Sequence, residues 1–166
     1  MWLLTSKWSI AGLILIGLIL LLLIIGRKSV SAEVTIRASQ AEVWRALTDP
    51  ALIRIWNKVL VPVEGRLQEG AKVTYEFYQE PQGKPAVMAA QVKQLIINEL
   101  INQKGGMMGV LTFDHRYILS ATDQGTTVRI HERYRGIMVP FWDPAPVEHA
   151  YERLLLALKQ ELEKGQ

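Results

Sequence analysis

An uncharged stretch near the start of the chain is long enough to cross a lipid bilayer. Residues 8–26 carry no charged side chain, and residues 10–25 consist only of Ile, Leu, Ala and Gly. A helix of this length extends for roughly 29 Å, close to the ~30 Å thickness of bilayer hydrocarbon. Lys7 precedes the stretch and Arg27 follows it. The sequence therefore predicts a transmembrane anchor. The residues assigned to it are Trp8, Leu13, Leu20 and Ile25.

A cleaved secretory signal is the alternative interpretation of this stretch. Val30-Ser31-Ala32 has the small residues of a cleavage site. Two features favour the anchor: the stretch exceeds the roughly 7–15 apolar residues of a signal, and Arg27 and Lys28 lie between it and that site. The Lys and Arg residues flanking a single-pass span place the following domain weakly in the cytoplasm, whereas cleavage would make it secreted or periplasmic.

We expect an anchor in residues 1–28 and one ligand-binding domain in residues 29–166, with a short linker at 27–32.

The composition of the chain excludes several classes of protein. Eighteen of the 19 basic and all 16 acidic residues follow residue 26, which leaves a net charge of +2 and gives no case for nucleic acid. There is no cysteine, and the three histidines are too scattered for a metal site, so we predict no cofactor.

Hydrophobic periodicity predicts a strand, two helices, about six antiparallel strands and a long final helix. Residues 33–37 alternate as a strand, and Ser39 with Glu42 fits a helix capping box. The segment 86–102 is expected to split near Leu95, and Gly105-Gly106 to end the second part. The apolar face of a helix at 147–164 is predicted to cover the sheet. A curved sheet around one helix leaves a cavity, which is where we expect a ligand.

This order of elements, with several short motifs, resembles the SRPBCC superfamily of START-like, polyketide cyclase/dehydrase-like and lipid-transport-like proteins. The resemblance covers residues 32–164. The motifs lie in residues 36–49, 55–57, 113–119, 125–132 and 154–159. It implies an α+β helix-grip fold, in which a curved antiparallel sheet of about seven strands wraps a long C-terminal helix. It does not imply one function, because this fold hosts carriers, hydrolase-like and cyclase-like enzymes and regulators, and it carries over no catalytic motif.

A polar cluster is predicted on the concave face of the last two strands. His115 and Tyr117 alternate with apolar residues on one strand, as Glu132 and Tyr134 do on the next. A turn at Asp123-Gln124 would pair His115 with Glu132, and a turn shifted by one residue would pair His115 with Tyr134. The full set of predicted ligand-binding residues is Tyr75, Phe77, Phe113, His115, Tyr117, Glu132, Tyr134, Tyr151 and Leu155.

Three functions remain open at this point. The first is a membrane-anchored protein that binds a hydrophobic small molecule or lipid between the sheet and the final helix. The second is a cyclase- or dehydratase-like enzyme with His115 and Glu132 as catalytic residues, since a carboxylate beside an imidazole can transfer protons. The third is an interaction module without a ligand. No pattern in the chain indicates an oligomeric state.

Two further features have alternative interpretations. Trp142, in a proline-rich loop, is placed at the cavity mouth, at the bilayer interface or in plain packing. The alternating basic face of the last strand is either a solvated surface or a contact for anionic lipid headgroups. Its members are Arg129, His131, Arg133 and Arg135.

Overall fold

A seven-stranded antiparallel sheet curls around a C-terminal helix in the computed structural model, which describes residues 7–164. The strand order is β1-β7-β6-β5-β4-β3-β2. The strands are β1 (Arg27–Ile36), β2 (Leu60–Glu64), β3 (Lys72–Phe77), β4 (Ala86–Ile96), β5 (Leu100–Met107), β6 (Leu111–Thr122) and β7 (Gly125–Arg135). The predicted α+β helix-grip fold is confirmed. The predicted anchor and domain also include residues 1–6 and 165–166, which lie outside the described residues.

The apolar helix α1 (Lys7–Ile25) joins β1 through one residue, Gly26. None of its side chains is buried against the rest of the chain. The Gly26 carbonyl accepts a hydrogen bond from the Gly136 amide at 3.0 Å. A Cβ on Gly26 would collide with the backbone oxygens of Gly136 and Leu22, so the close approach requires glycine here.

The linker expected at 27–32 is wrong, because these residues form the first part of β1. They pair with β7 from Arg27 opposite Arg135 onward. Val30 and Ala32 point into the core, whereas Ser31 between them and Ser29 and Glu33 on either side are less buried. This two-residue period is weak in a segment rich in Ser, Lys and Arg, which is why it does not stand out in the sequence.

Two short helices follow β1 and lead to the opposite edge of the sheet. The predicted capping box begins α2 (Gln40–Thr48): the Ser39 amide donates to the Glu42 carboxylate at 2.8 Å, and the Ser39 hydroxyl accepts from the Glu42 amide. Asp49 ends α2 and caps α3 (Pro50–Trp56). The Trp56 indole donates to the Ala46 carbonyl at 3.1 Å, which ties α3 to α2.

The hairpin between β6 and β7 adopts the first of the two predicted registers. Thr122 pairs with Gly125 across a two-residue turn, and His115 therefore lies opposite Glu132. The split between β4 and β5 falls at residues 97–99, where Asn98 has a φ of 64°, close to the predicted position. The break expected at Gly105-Gly106 is wrong, because both residues pair with β6 inside β5.

The C-terminal helix α4 (Ala145–Leu162) packs on the concave face, chiefly against β1. The Lys159 ammonium donates to the Thr35 carbonyl at 2.7 Å. Because the strands alternate in direction, the loops 78–85, 108–110 and 136–144 share one end of the sheet with the start of β1. We call this the proximal end. The β2–β3 loop and the turns at 97–99 and 123–124 lie at the distal end.

Candidate functional site

A cavity, which we call the large cavity, lies between the α2–α3 pair and the concave face of the sheet. Its volume is about 350 Å³, at the lower end of the range for ligand pockets. Apolar side chains from both helices and from four strands form most of the wall, among them Leu47, Ile53, Trp56, Leu60, Val73 and Ile101. No residue of α4 lines it. The expected position between sheet and final helix is therefore wrong, because α4 packs directly against the sheet.

Three neutral polar groups line this cavity on the strand side. Gln103 donates its amide to the Tyr75 hydroxyl at 2.5 Å. Burial raises the pKa of Tyr75 to about 12, although the bond from Gln103 acts against this. Burial also raises the pKa of Tyr117, whose hydroxyl has no hydrogen-bond partner among the described residues. Both tyrosines are protonated at neutral pH, so the groups they offer a ligand are uncharged.

The charged side chains that line the cavity are Arg54 of α3, Glu64 and Arg66, and all three are exposed. We therefore place the mouth of the cavity beside them. The mouth thus lies between the α2–α3 pair and the β2–β3 loop. A ligand entering here would pass charged groups first and then meet an apolar wall.

The predicted polar cluster is buried beside this cavity. Glu132 is only 1% exposed, and one of its carboxylate oxygens, Oε2, accepts hydrogen bonds from the hydroxyls of Tyr134, at 2.6 Å, and Tyr151. Burial first, and then the nearby charge of Glu132, raises the pKa of both tyrosines. They therefore remain protonated and donate to the carboxylate.

His115 lies against the same carboxylate without a hydrogen bond to it. Its Nδ1 is 3.6 Å from Glu132 Oε2, and the residue is 3% exposed. Neither ring nitrogen has a partner among the described residues. The rings of Tyr117 and Tyr151 pack edge-on against the imidazole, at centroid distances of 4.8 and 5.3 Å. A space of about 10 Å³ adjoins the pair, which is about the size of one water molecule.

Leu60, Tyr75 and Gln103 border both spaces and form the partition between them. A hydrogen bond between Gln103 and Tyr75 joins two of these three side chains. A substrate in the large cavity would have to displace it to reach His115 or Glu132. The arrangement can orient the polar end of a ligand from the large cavity, and it keeps the imidazole and carboxylate out of direct contact with that ligand.

The nine predicted ligand-binding residues separate into three groups. Tyr75 and Tyr117 line the large cavity. The small space is lined by Tyr75 again, with Phe113, His115, Glu132 and Tyr151. Phe77, Tyr134 and Leu155 line neither and are buried in the core. That any of the nine binds a ligand stays a prediction.

Sequence reasoning missed Gln103 and Ile101. Trp56, which falls in the family motif at 55–57, lines the large cavity as well as packing against α2. One signal was available for Gln103. It lies opposite His115 on the next strand, so its side chain shares the concave face. A polar residue at that register position belongs to the same cluster.

The outer face of the sheet carries a separate charged network around Asp114. Its carboxylate contacts Lys104, Arg116 and Arg133 at 3.0–3.2 Å. On the same face, Arg129 lies 4.0 Å from Glu33, and the Ser31 hydroxyl hydrogen-bonds the His131 imidazole. These basic residues of β7 therefore contact groups on neighbouring strands, which favours the solvated-surface interpretation.

The Asp114 network should make stability depend on pH. Burial acts to raise the pKa of Asp114, but hydrogen bonds from Arg116, Lys104 and Asn102 outweigh it and hold the pKa well below its ordinary value. The ionised form therefore stabilises the fold at neutral pH, and this contribution is lost as the pH falls below about 4 towards the folded-state pKa.

We expect Asp114→Asn to lower the melting temperature at pH 7, and its difference from the wild type to shrink as the pH falls below about 4. Thermal unfolding of the full chain in detergent, followed by tryptophan fluorescence, measures this. Glu152→Gln, at an exposed position on α4, is the matched control and should change little at any pH. If the melting temperatures of the variant and the wild type differ by the same amount at every pH, the charge of Asp114 is not the cause of the difference.

Comparison with known proteins identifies the family. The family model described as "Polyketide cyclase / dehydrase and lipid transport" matches residues 27–163. No curated protein matches the chain. Three similar solved structures are SA2116 from Staphylococcus aureus, of unknown function, MLL2253 from Mesorhizobium loti and CV1439 from Chromobacterium violaceum.

The three structures share the fold at low sequence identity. For SA2116 the identity is 18% and the TM-score 0.63, with 82% of this chain and 94% of that chain covered. For MLL2253 the identity is 19% and the TM-score 0.65, with 84% of this chain and 99% of that chain covered. For CV1439 the identity is 16% and the TM-score 0.66, with 81% of this chain and 97% of that chain covered. Since the family model spans nearly all of the sheet and α4, the chain belongs to the polyketide cyclase / dehydrase and lipid transport family.

Proposed function

We propose that this protein is a membrane-anchored binding protein for one small hydrophobic or lipid-like ligand. The observation that carries the proposal is the cavity of about 350 Å³ with an apolar wall and a few neutral polar groups. Ligand sites commonly have this composition. A domain without a ligand would be expected to fill such a space with its own side chains.

The ligand's apolar body would contact Ile53, Trp56 and Val73, and its polar end would meet Tyr117 and Gln103. Removing ~300 Å² of apolar surface from water contributes roughly 7 kcal/mol before ordering costs, at about 25 cal/mol per Å². The buried end of the ligand would be an uncharged hydroxyl or carbonyl group. An ionised group there would be desolvated without a charged partner, which is costly.

The position of the His115–Glu132 pair favours binding over catalysis. A cyclase- or dehydratase-like reaction would require the substrate to reach these two side chains past the Tyr75–Gln103 hydrogen bond. In addition, both tyrosine hydroxyls bonded to Glu132 occupy the oxygen that faces His115. The pair is better suited to holding the core together beside the ligand site.

We also propose that α1 remains attached as a single-pass anchor. By length and composition this helix is able to cross a membrane, a test that signal sequences also meet. The candidate cleavage site after Ala32 lies inside β1, however, and the family match already begins at residue 27. Cleavage there would remove paired residues from the sheet. The flanking charges favour a cytoplasmic location for the domain, which stays a prediction.

The proposal predicts that the protein carries a bound hydrophobic molecule. Native mass spectrometry of the full chain in detergent, followed by organic extraction, should find one additional mass per chain. Val73→Trp should lose this mass, because the indole would fill space in the cavity that Val73 lines. Val87→Trp is the matched control on the neighbouring strand, where the side chain is exposed, and should retain it.

Two results of this experiment would contradict the proposal. A clean unliganded mass in the wild type, with no uptake from a mixture of phospholipids and fatty acids, would refute the binding proposal. It would shift the interpretation to the ligand-free interaction module. Loss of the mass in both tryptophan variants would show that the effect does not arise in the cavity.

A further inference from the structure

Four large apolar side chains are exposed together at the proximal end of the domain. They are Met107, Met108, Met138 and Phe141, which we call the proximal rim. Met108 is 92% exposed and Phe141 is 73% exposed. Grouped apolar side chains of this kind on a soluble domain mark a contact with another apolar surface. Met107 ends β5 and Met108 follows it, whereas Met138 and Phe141 lie in the loop 136–144, so their grouping comes from the fold.

Backbone hydrogen bonds bring these loops together and join them to the end of α1. The Ile137 amide donates to the Gly109 carbonyl at 3.0 Å, and the Met138 amide donates to the Val110 carbonyl at 3.1 Å. Gly136, one residue before this pair, donates to Gly26. The rim therefore lies beside the point at which the apolar helix enters the domain.

The charges around the rim have a small positive excess. Arg27, Lys28 and Arg135 flank it, against Glu148 in the first turn of α4 and Asp143, whose carboxylate accepts a hydrogen bond from the Ala145 amide. The Lys28 ammonium donates to the Trp142 carbonyl at 2.5 Å. The β3–β4 loop at this end adds one Glu and one Lys. Cations beside exposed apolar and aromatic residues are the composition that favours the interface of a membrane with anionic lipids.

We propose that the proximal rim inserts into the interfacial layer of the same bilayer that α1 crosses. This inference rests on the proposed anchor. Since only Gly26 separates α1 from β1, the rim and the end of the membrane span are held close to each other. Insertion would fix the orientation of the domain on the membrane. The β2–β3 loop, which borders the cavity mouth, belongs to the distal end and would face the aqueous phase.

The absence of cysteine from the chain makes a site-specific test direct. The full chain carries one cysteine per variant, labelled with a polarity-sensitive fluorophore, and is reconstituted into vesicles of phosphatidylcholine and phosphatidylglycerol. Met108→Cys and Phe141→Cys probe the rim, Leu13→Cys probes the anchor, and Gln124→Cys probes the distal end. All four positions are exposed, so the labels do not disturb the core. A lipid-borne nitroxide quenches fluorophores that contact the bilayer.

We expect strong quenching and a blue-shifted emission at positions 13, 108 and 141, and neither at position 124. Quenching at position 13 alone would overturn docking of the rim and leave the anchor intact. An absence of quenching at position 13 would show that α1 does not lie in the bilayer. It would overturn both the proposed anchor and the docking of the rim. A blue shift at positions 108 and 141 without quenching would mean that protein, such as a second copy of this chain, covers the rim, which also overturns the proposal.

Discussion

Replacing Glu132 by alanine is expected to lower the free energy of unfolding by about 3–5 kcal/mol. The hydroxyls of Tyr134 and Tyr151 would lose their acceptor inside the core, and each unpaired buried group costs about 1–3 kcal/mol. The lost side-chain volume adds a further cost. Because small domains have a total stability of about 5–15 kcal/mol, the variant should unfold at a much lower temperature or denaturant concentration.

Glu132→Gln is the informative comparison for this prediction. Both tyrosines donate to the same oxygen of Glu132, so the amide oxygen of glutamine at that position can accept both bonds. We expect a clearly smaller loss than for alanine. Glu33→Ala, on the exposed face of β1, should change stability by less than about 0.5 kcal/mol.

Denaturant unfolding of the full chain in detergent, followed by tryptophan fluorescence, measures all three variants. Equal losses for glutamine and alanine at position 132 would show that the negative charge, rather than the acceptor oxygen, stabilises the core.

A chain shortened to begin at Glu33 is expected not to fold, whereas one that begins at Gly26 should fold. The shorter chain lacks six of the ten residues of β1, including the core side chains of Val30 and Ala32. It leaves half of the partner strand β7 without hydrogen-bonded neighbours on that side. We expect the loss to be comparable to the whole stability of such a domain.

Circular dichroism and cooperative thermal unfolding distinguish the two shortened chains. Amino-terminal sequencing of the protein recovered from cell membranes then tests the same point in the native setting, where an intact Lys7 to Ala32 segment is expected. A folded, cooperative domain that begins at Glu33 would contradict the prediction and would restore signal cleavage as an interpretation.

Local patterns predicted the features of this fold that depend on neighbouring residues. The alternation on β6 and β7 indicated which side chains share the concave face but left two registers open, and the structure adopts the one that pairs His115 with Glu132. The Ser39 capping box marked the start of α2 correctly. These predictions needed only the periods of strands and helices and the chemistry of turns and caps.

The position of the cavity was not predictable in this way. It depends on where the α2–α3 pair lies relative to β2 and β3, and the hydrogen bond from Trp56 to Ala46 that holds the pair together has no periodic signal. Similarly, the contact between Tyr151 and Glu132 joins a helix to a strand across the core. Such packing is set by the whole fold, so the cluster with Tyr134 was predicted, while the hydrogen bond from Tyr151 to Glu132 was not.

The single-residue junction at Gly26 has a consequence for how ligand would move. A domain on a long flexible tether can swing across the space between two membranes and act as a shuttle, because its reach grows with tether length. Here the helix passes almost directly into a sheet strand, and Gly26 is itself hydrogen-bonded to Gly136. With α1 in the bilayer, the domain would travel only by lateral diffusion within that membrane. Exchange with any second compartment would then depend on a partner arriving at the protein.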